Sequence, residues 1–179
     1  MRHFIHIFGA SGAGTTTLGR ALSSELGLLH MDTDDYFWLP TDPRYTAKRP
    51  IPERLSLMQQ DMDASQGAVI SGSLVDWGDV LIPRFTLAIR VVTDTATRIE
   101  RLKAREYAHF GQRIREGGDM YQNHLDFLAW AAMYDTGDVT MRSRAKHDEW
   151  QNLLACPLLI VDGTADLSES LARVRHALL

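Results

Sequence analysis

A single cysteine, Cys156, stands in a chain of 179 residues, so no intrachain disulfide can staple the fold, and a reducing compartment is expected. It lies in the apolar run Cys156-Pro157-Leu158-Leu159-Ile160-Val161, where a small buried hydrophobe is a better reading than a nucleophile. No apolar run reaches the length of a membrane span. The first strand-like residues begin at position 3, leaving no room for a signal peptide, so a cytoplasmic location is expected. Neither sign of charge dominates: 19 Lys and Arg face 23 Asp and Glu, and the net charge of −4 argues against nonspecific nucleic-acid binding as the main task. Internal repeats and low-complexity tracts are also missing, and His109, His124 and His147 lack metal-ligand spacing. An apolar fraction of 45% with 23% charged residues is that of a soluble globular chain long enough to bury a full core.

One further absence is confined to a single position. Residues 9–16 read Gly9-Ala10-Ser11-Gly12-Ala13-Gly14-Thr15-Thr16, which fits the phosphate-loop pattern G-x-x-x-x-G-K-[ST] everywhere except at Thr15, where a lysine belongs. Glycines let the backbone curl so that successive N–H groups point at phosphate oxygens, and the helix that follows adds the positive end of its dipole. Thr16 stands where such a loop ligates Mg²⁺, and Thr17 follows on the first helical turn. The setting is the required one: a strand-like run, His3–Phe8, precedes the loop, and Leu18, Ala21, Leu22 and Leu26 recur at helical spacing after it. The pattern therefore reads as a triphosphate site strongly and as an active phosphotransferase less strongly.

Apolar runs alternate with helical patterns along the rest of the chain. Strands are expected at His3–Phe8, Leu28–Asp32, Ala68–Ser71, Phe85–Val92 and Pro157–Asp162, and helices at Thr15–Leu26, Pro52–Ser65, Thr95–Glu106 and Ser168–Leu178. Asp166 with Glu169 would form a capping box on the last helix, with Leu167, Leu171, Val174 and Leu178 as its core stripe. Consecutive apolar residues in several strands predict a parallel sheet covered on both faces, with right-handed crossovers. About fifty residues separate the fourth helix from the fifth strand, too many for a plain connection, and long inserts of this kind usually cover a site. Within it, Gly117-Gly118 is a hinge candidate, and a helix should open at Asp119 with Gln122 as capping partner and Tyr121, Leu125, Leu128 and Ala132 as its stripe. Another should cover Arg144–Leu154.

Chemistry-bearing residues cluster around this frame. Asp32, Asp34 and Asp35 close the second strand, at the end of an open α/β sheet where ligands bind. Asp34 is the preferred one for orienting an acceptor hydroxyl, with a helix cap or solvated loop as the alternative for each. Ser71-Gly72-Ser73 follows the third strand, and Ser71 could reach a metal-bound water or simply form a turn. Asp162-Gly163-Thr164 is a candidate purine-contacting turn. Arg98, Arg101, Lys103, Arg105, Arg113 and Arg115 fall within 18 residues, followed by Arg142, Arg144 and Lys146. Arg101 and Arg105 share one helix face and could clamp phosphates in place of the lost lysine, with Arg142 and Arg144 as reserves. A solvated face paired with Glu100 and Glu106 is the other reading. Arg44, Lys48 and Arg49 lie in the loop after the second strand. Trp38, Tyr45, Trp77, Trp130 and Trp150 read as packing residues rather than stacking platforms.

With the loop, the Asp-rich strand end and the arginine-bearing insert assembled, the chain resembles the small P-loop kinases, the adenylate, shikimate and gluconate kinase-like group. Asp34-Asp35-Tyr36-Phe37-Trp38 is also similar to the topology-modulation-like, adenylate kinase-related branch of that group. The resemblance covers nearly the whole length. It implies one P-loop NTPase domain over 1–179, α/β in three layers, with a five-stranded parallel sheet in order 2-3-1-4-5. It also implies an acceptor-side loop and helix at about 33–66 and a lid insert at about 107–155. Gly9 to Thr17 and Gly163 would hold ATP, Thr16 would hold Mg²⁺, and Arg101, Arg105, Arg142, Arg144 and Asp34 would serve transfer to a small-molecule or nucleotide acceptor. Residues 107–119, basic and poor in core-type side chains, would be mobile before nucleotide binds. Thr15 departs from the group's pattern, so an ATP-binding sensor without turnover is the rival reading. No Asn-Lys-x-Asp guanine motif is present, which removes a GTPase.

Overall fold

The computed structural model describes residues 2–178. In chain order the elements are β1 (Phe4–Gly9), α1 (Thr15–Leu26), β2 (Leu29–Asp32), α2 (Thr33–Phe37), α3 (Ile51–Ala64), β3 (Ala68–Ser71), β4 (Leu87–Val92), α4 (Thr95–Phe110), α5 (Tyr121–Ala132), α6 (Arg144–Trp150), β5 (Leu158–Asp162) and α7 (Leu167–Ala177). All the strand pairs are parallel, and the sheet runs β2-β3-β1-β4-β5. Sequence expectation and structure agree on this architecture.

The alternation of side chains along β1 divides the core. Phe4 and Phe8 join Met31, Ile70, Met58 and Leu74 on one face, while Ile5 and Ile7 join Leu18, Leu22, Val69 and Val174 on the other. Both faces are therefore covered, which is why the central strands read as unbroken apolar runs. All five strands end at one edge, where the loop after β1, the residues after β2 and β3, and α4 meet.

Several local expectations are corrected. The helix expected to open at Asp119 begins at Tyr121 behind a Met120 cap with no side-chain cap bond, because Arg113 takes the Asp119 carboxylate at 2.6 Å. Gln122 bonds Asp126 instead. The stripe of this helix is also rotated: Leu125 is exposed and Ala131 buried. Asp166 caps α7 through its backbone alone, and Leu167 is exposed. In the Gly117-Gly118 pair, Gly117 takes a positive φ of 83° in open space, and Gly118 packs so closely that a Cβ would lie 2.2 Å from the Arg113 carbonyl oxygen. Residues 107–119 do contribute core contacts: Phe110 and Ile114 are buried together with the adjoining Met120, and Tyr45 packs against them.

Two histidines are buried in the neutral form. His6 in β1 donates Nε2–H to the Gly72 carbonyl at 2.9 Å, and burial lowers its pKa to about 4. His147 lies between Ser73 Oγ and the Tyr134 hydroxyl; burial, then the Arg142 and Arg90 charges, lower its pKa to about 3. The unfolded chain takes up both protons near pH 6.5 and the folded one does not. Stability is thus fully present above that pH and falls as the pH drops toward 4 and then 3. With both groups active the slope reaches up to about 2.7 kcal/mol per pH unit. Urea unfolding at pH 7, 6, 5 and 4.5 checks this; a midpoint that does not move over that range would contradict it.

Candidate functional site

The phosphate-type loop leaves β1 and enters α1 through a closed turn, with Ala13 N–H donating to the Ala10 carbonyl at 3.0 Å. Gly14 sits at φ 107° immediately before the helix, a conformation that costs glycine nothing and other residues a good deal. The first turn of α1 carries Thr15, Thr16 and Thr17. Thr16 donates its hydroxyl to Asp32 Oδ2 at 3.0 Å, and Asp32 Oδ1 in turn accepts from the Asp34 N–H at 3.1 Å, capping α2. The donor set here is a hydroxyl and a carboxylate, which suits a hard divalent cation such as Mg²⁺. Among the described residues no group of three or more His, Cys, Asp or Glu forms a protein-only metal site, so such a cation would share its shell with phosphate oxygens and water.

A cavity of about 270 Å³ opens between this loop and the far side of the sheet edge. Thr15, Thr16, Asp32, Asp34, Arg105 and Arg142 all line it. Asp34 lines it and remains open to solvent on its outer side. Crowding by the surrounding walls, then the Asp32 charge, pushes its carboxyl above the usual range, with Arg142 and Arg105 pulling partly the other way. Arg142 donates to Ser11 Oγ at 2.5 Å and lies over the Trp130 ring at 4.7 Å, while its buried Nε has no partner. Arg105 has no carboxylate partner among the described residues and lies 5.9 Å from the Phe127 centroid.

The other expected residues divide: Arg101 stays at the loop, lining a hollow with Thr15, Thr16, Thr17 and Arg105, while Arg144 and Ser71 leave the site. Arg101 donates to the carbonyls of Gly163 at 3.0 Å and Ala13 at 3.4 Å, joining the Asp162–Thr164 turn to the back of the loop. Gly163 is required there, because a Cβ would lie 2.3 Å from the Ala13 carbonyl oxygen. Arg144 leaves the site: two bonds to Asp135 at 3.0 and 2.6 Å hold it on the outer side of α6. Ser71 is also excluded, buried under α1 and bonded to His30 Nε2 at 2.9 Å. Gly72 borders the loop cavity and also admits the Thr33 hydroxyl, which would lie 1.8 Å from a Cβ. Trp77 and Trp150 are core residues, as expected from packing, but Trp38, Tyr45 and Trp130 line cavities at the sheet edge.

Sequence reading also missed two positions. Asp32, set behind Asp34 in the sequence reading, is the carboxylate that Thr16 touches; its place as the last residue of β2, beside Ser71 in register, is the signal. Arg98, one of many basic residues in the sequence, is fully buried and uses all of its N–H groups. It donates to the carbonyls of Thr93, Ser11 and Ala131, to Thr95 Oγ1 and to Asp135. The loop after β2 is fastened to the insert as well, with Arg113 Nη1 on Asp42 at 2.6 Å and Tyr45, at φ 66°, on Phe110.

The chain is 40% identical over 174 residues to the uncharacterized protein YqaC of Bacillus subtilis, covering 97% of this chain and 96% of that one. It belongs to the YqaC family. No family model matches it. Among solved structures it is similar to shikimate kinase from Bacteroides thetaiotaomicron, with 15% identity, 98% of each chain covered and a TM-score of 0.59. Shikimate kinase from Acinetobacter baumannii, solved in complex with shikimate, gives 12% identity, 99% and 93% coverage and 0.58. A sugar kinase from Janibacter sp. HTCC2649 gives 14%, 99% and 95%, and 0.55. At these identities the likeness is one of fold, and the fold is that of the small P-loop kinases.

Proposed function

We propose that this protein is an ATP- and Mg²⁺-dependent phosphotransferase acting on a small-molecule or nucleotide acceptor, of the adenylate kinase-related kind. The observation that carries this reading is the convergence of Thr16, Asp32, Asp34, Arg105 and Arg142 on one cavity at the mouth of the loop. Backbone N–H groups of Gly9 to Thr16 and the α1 dipole would hold the triphosphate. Thr16 would hold Mg²⁺ directly and Asp32 would hold it through water, and the cation would neutralise charge on the phosphates. The Arg101–Gly163 corner, beside Thr17, would take the base. Asp34 would accept the proton of the acceptor hydroxyl as its oxygen bonds to the γ-phosphorus and the bond to the β–γ bridging oxygen breaks, releasing ADP. A carboxylate held above its usual range is the better base for this step. Arg105 and Arg142 would stabilise the charge spread over the transferring group.

The protein with Mg·ATP, offered nucleoside monophosphates, aromatic acids and polyols and followed by ³¹P NMR, tests the reading. Turnover with at least one acceptor is expected, and Asp34→Asn should lower it by about 10²-fold or more while Mg·ATP still binds. Thr15 in place of lysine favours a second reading, an ATP-binding sensor. Mg·ATP binding with no transfer to any acceptor would support the sensor and overturn the kinase.

A further inference from the structure

Continuous with the loop cavity lies a larger one of about 630 Å³, which shares Thr33, Asp34, Trp38, Ser73, Phe127 and Arg142 with it. Its walls are unusual for a site that handles small polar hydroxylated molecules. Trp38 from the end of α2 and Phe127 and Trp130 from α5 present rings to it, with Phe37 and Trp77 behind them. Phe127 and Trp130 are stacked on each other at 6.0 Å and 26°, one turn apart on their helix. The charges leave a small positive excess. Asp76 is neutralised by Lys146 at 2.6 Å, and Lys48, Arg54 and Arg142 then stand against Asp34 and the exposed Asp126.

Arg54 is the most telling of these. It is only 6% exposed, yet no carboxylate lies within ion-pair reach among the described residues. Its Nε is committed to the Arg49 carbonyl at 2.6 Å, and the flat guanidinium is layered on Phe37 at 3.8 Å and near Trp77 at 5.4 Å. The two terminal nitrogens have no protein partner among the described residues; they keep contact with solvent, and Arg54 lines the cavity. A guanidinium held flat with no counter-charge and free N–H groups is ready to pair with an anion arriving in the cavity.

We propose that the acceptor is a planar aromatic molecule carrying an anionic group. Its ring lies against Trp38 and the Phe127–Trp130 pair, its anion meets Arg54, and its hydroxyl reaches Asp34. The inference rests on the kinase reading for the role of Asp34 but not for the ring and anion contacts. Aromatic walls gain from a flat partner both through area removed from water and through offset stacking, which a puckered sugar or polyol cannot match.

The test uses quenching of tryptophan fluorescence in the full chain, since Trp38 and Trp130 border the cavity themselves. Four probes separate the two features: adenosine 5′-monophosphate has ring and anion, adenosine the ring, ribose 5-phosphate the anion, and shikimate a non-aromatic ring with an anion. Titrations run with and without a saturating non-hydrolysable Mg·ATP analogue, so that a probe entering the loop is recognised. Adenosine 5′-monophosphate should bind at least about tenfold more tightly than each of the other three with the analogue present. Trp130→Leu should remove the advantage of the ring and leave ribose 5-phosphate unchanged, and Arg54→Met should remove the advantage of the anion. The comparison on the unaltered protein stands even where a variant fails to fold. Equal or tighter binding of ribose 5-phosphate or shikimate, or no quenching by any probe at millimolar concentration, would overturn the proposal. If the analogue does not bind, the kinase reading fails, and the four probes still decide the chemistry of the cavity.

Discussion

Arg142→Ala is expected to lower phosphoryl transfer by about 10²-fold or more, a barrier increase of about 2.7 kcal/mol, while Mg·ATP binding weakens far less. The reasoning starts from Thr15. A loop without its lysine keeps its backbone donors, so binding survives, but the charge that develops during transfer needs another cation. Of the four arginines that the sequence offers, Arg144 is held by Asp135, and Arg101 spends N–H groups on the carbonyls of Gly163 and of Ala13 at the back of the loop. Arg105 and Arg142 remain beside Thr15 and Asp34, and of these two Arg142 bonds to the loop, at Ser11. Arg105→Ala should accordingly cost about tenfold, less than Arg142→Ala. Thr15→Lys alone should change little, because the charge is already supplied, and the same change combined with Arg142→Ala should restore much of the loss. Steady-state kinetics on the four variants check this; a double variant as slow as Arg142→Ala would show that Arg142 does not do the work of the lysine.

Arg98→Ala is expected to destabilise the fold by about 3–5 kcal/mol, the cost of stripping a buried charge from a satisfied network. The side chain has no exposed surface, and its removal takes a donor from the carbonyls of Thr93, Ser11 and Ala131 and one of the two cations from Asp135, which keeps Arg144 and Thr95. Lysine cannot serve instead, because an ammonium group cannot reproduce the planar fork that holds two segments at once. Arg98→Lys should therefore recover less than half of the loss. Since Ser11 is one of the acceptors, both variants should also loosen the loop and weaken Mg·ATP binding. Denaturant unfolding read beside calorimetry measures both effects, and an Arg98→Ala protein within about 1 kcal/mol of the parent would contradict the account.

The parallel sheet was legible because it rests on unbroken apolar runs and a single glycine loop, signals local to a few residues, while its strand order came from the likeness to the small P-loop kinases. The same glycine loop marks Thr16 as the residue to test. What the sequence did not disclose depends on partners far along the chain. Arg98, Arg101, Arg105, Arg142 and Arg144 look alike as letters, and only distances spanning up to 131 residues, as from Ser11 to Arg142, sort a buried hub from a loop contact and a surface pair. Asp119 reads as a helix cap until Arg113 takes its carboxylate. Trp38 and Trp130 read as core until the cavity they border is in view, because an amphipathic stripe cannot distinguish a wall facing protein from one facing a ligand.

Calorimetric titration of Mg·ATP into the unaltered protein and into Thr16→Ala and Asp32→Asn tests the account most directly. Binding should be measurable for the parent despite Thr15, should depend on Mg²⁺, and should lose most of that dependence in both variants, because Thr16 and Asp32 would hold the cation together. No heat with the parent, or binding whose Mg²⁺ dependence is untouched by both substitutions, would contradict the assignment of Gly9 to Thr16 as the triphosphate site.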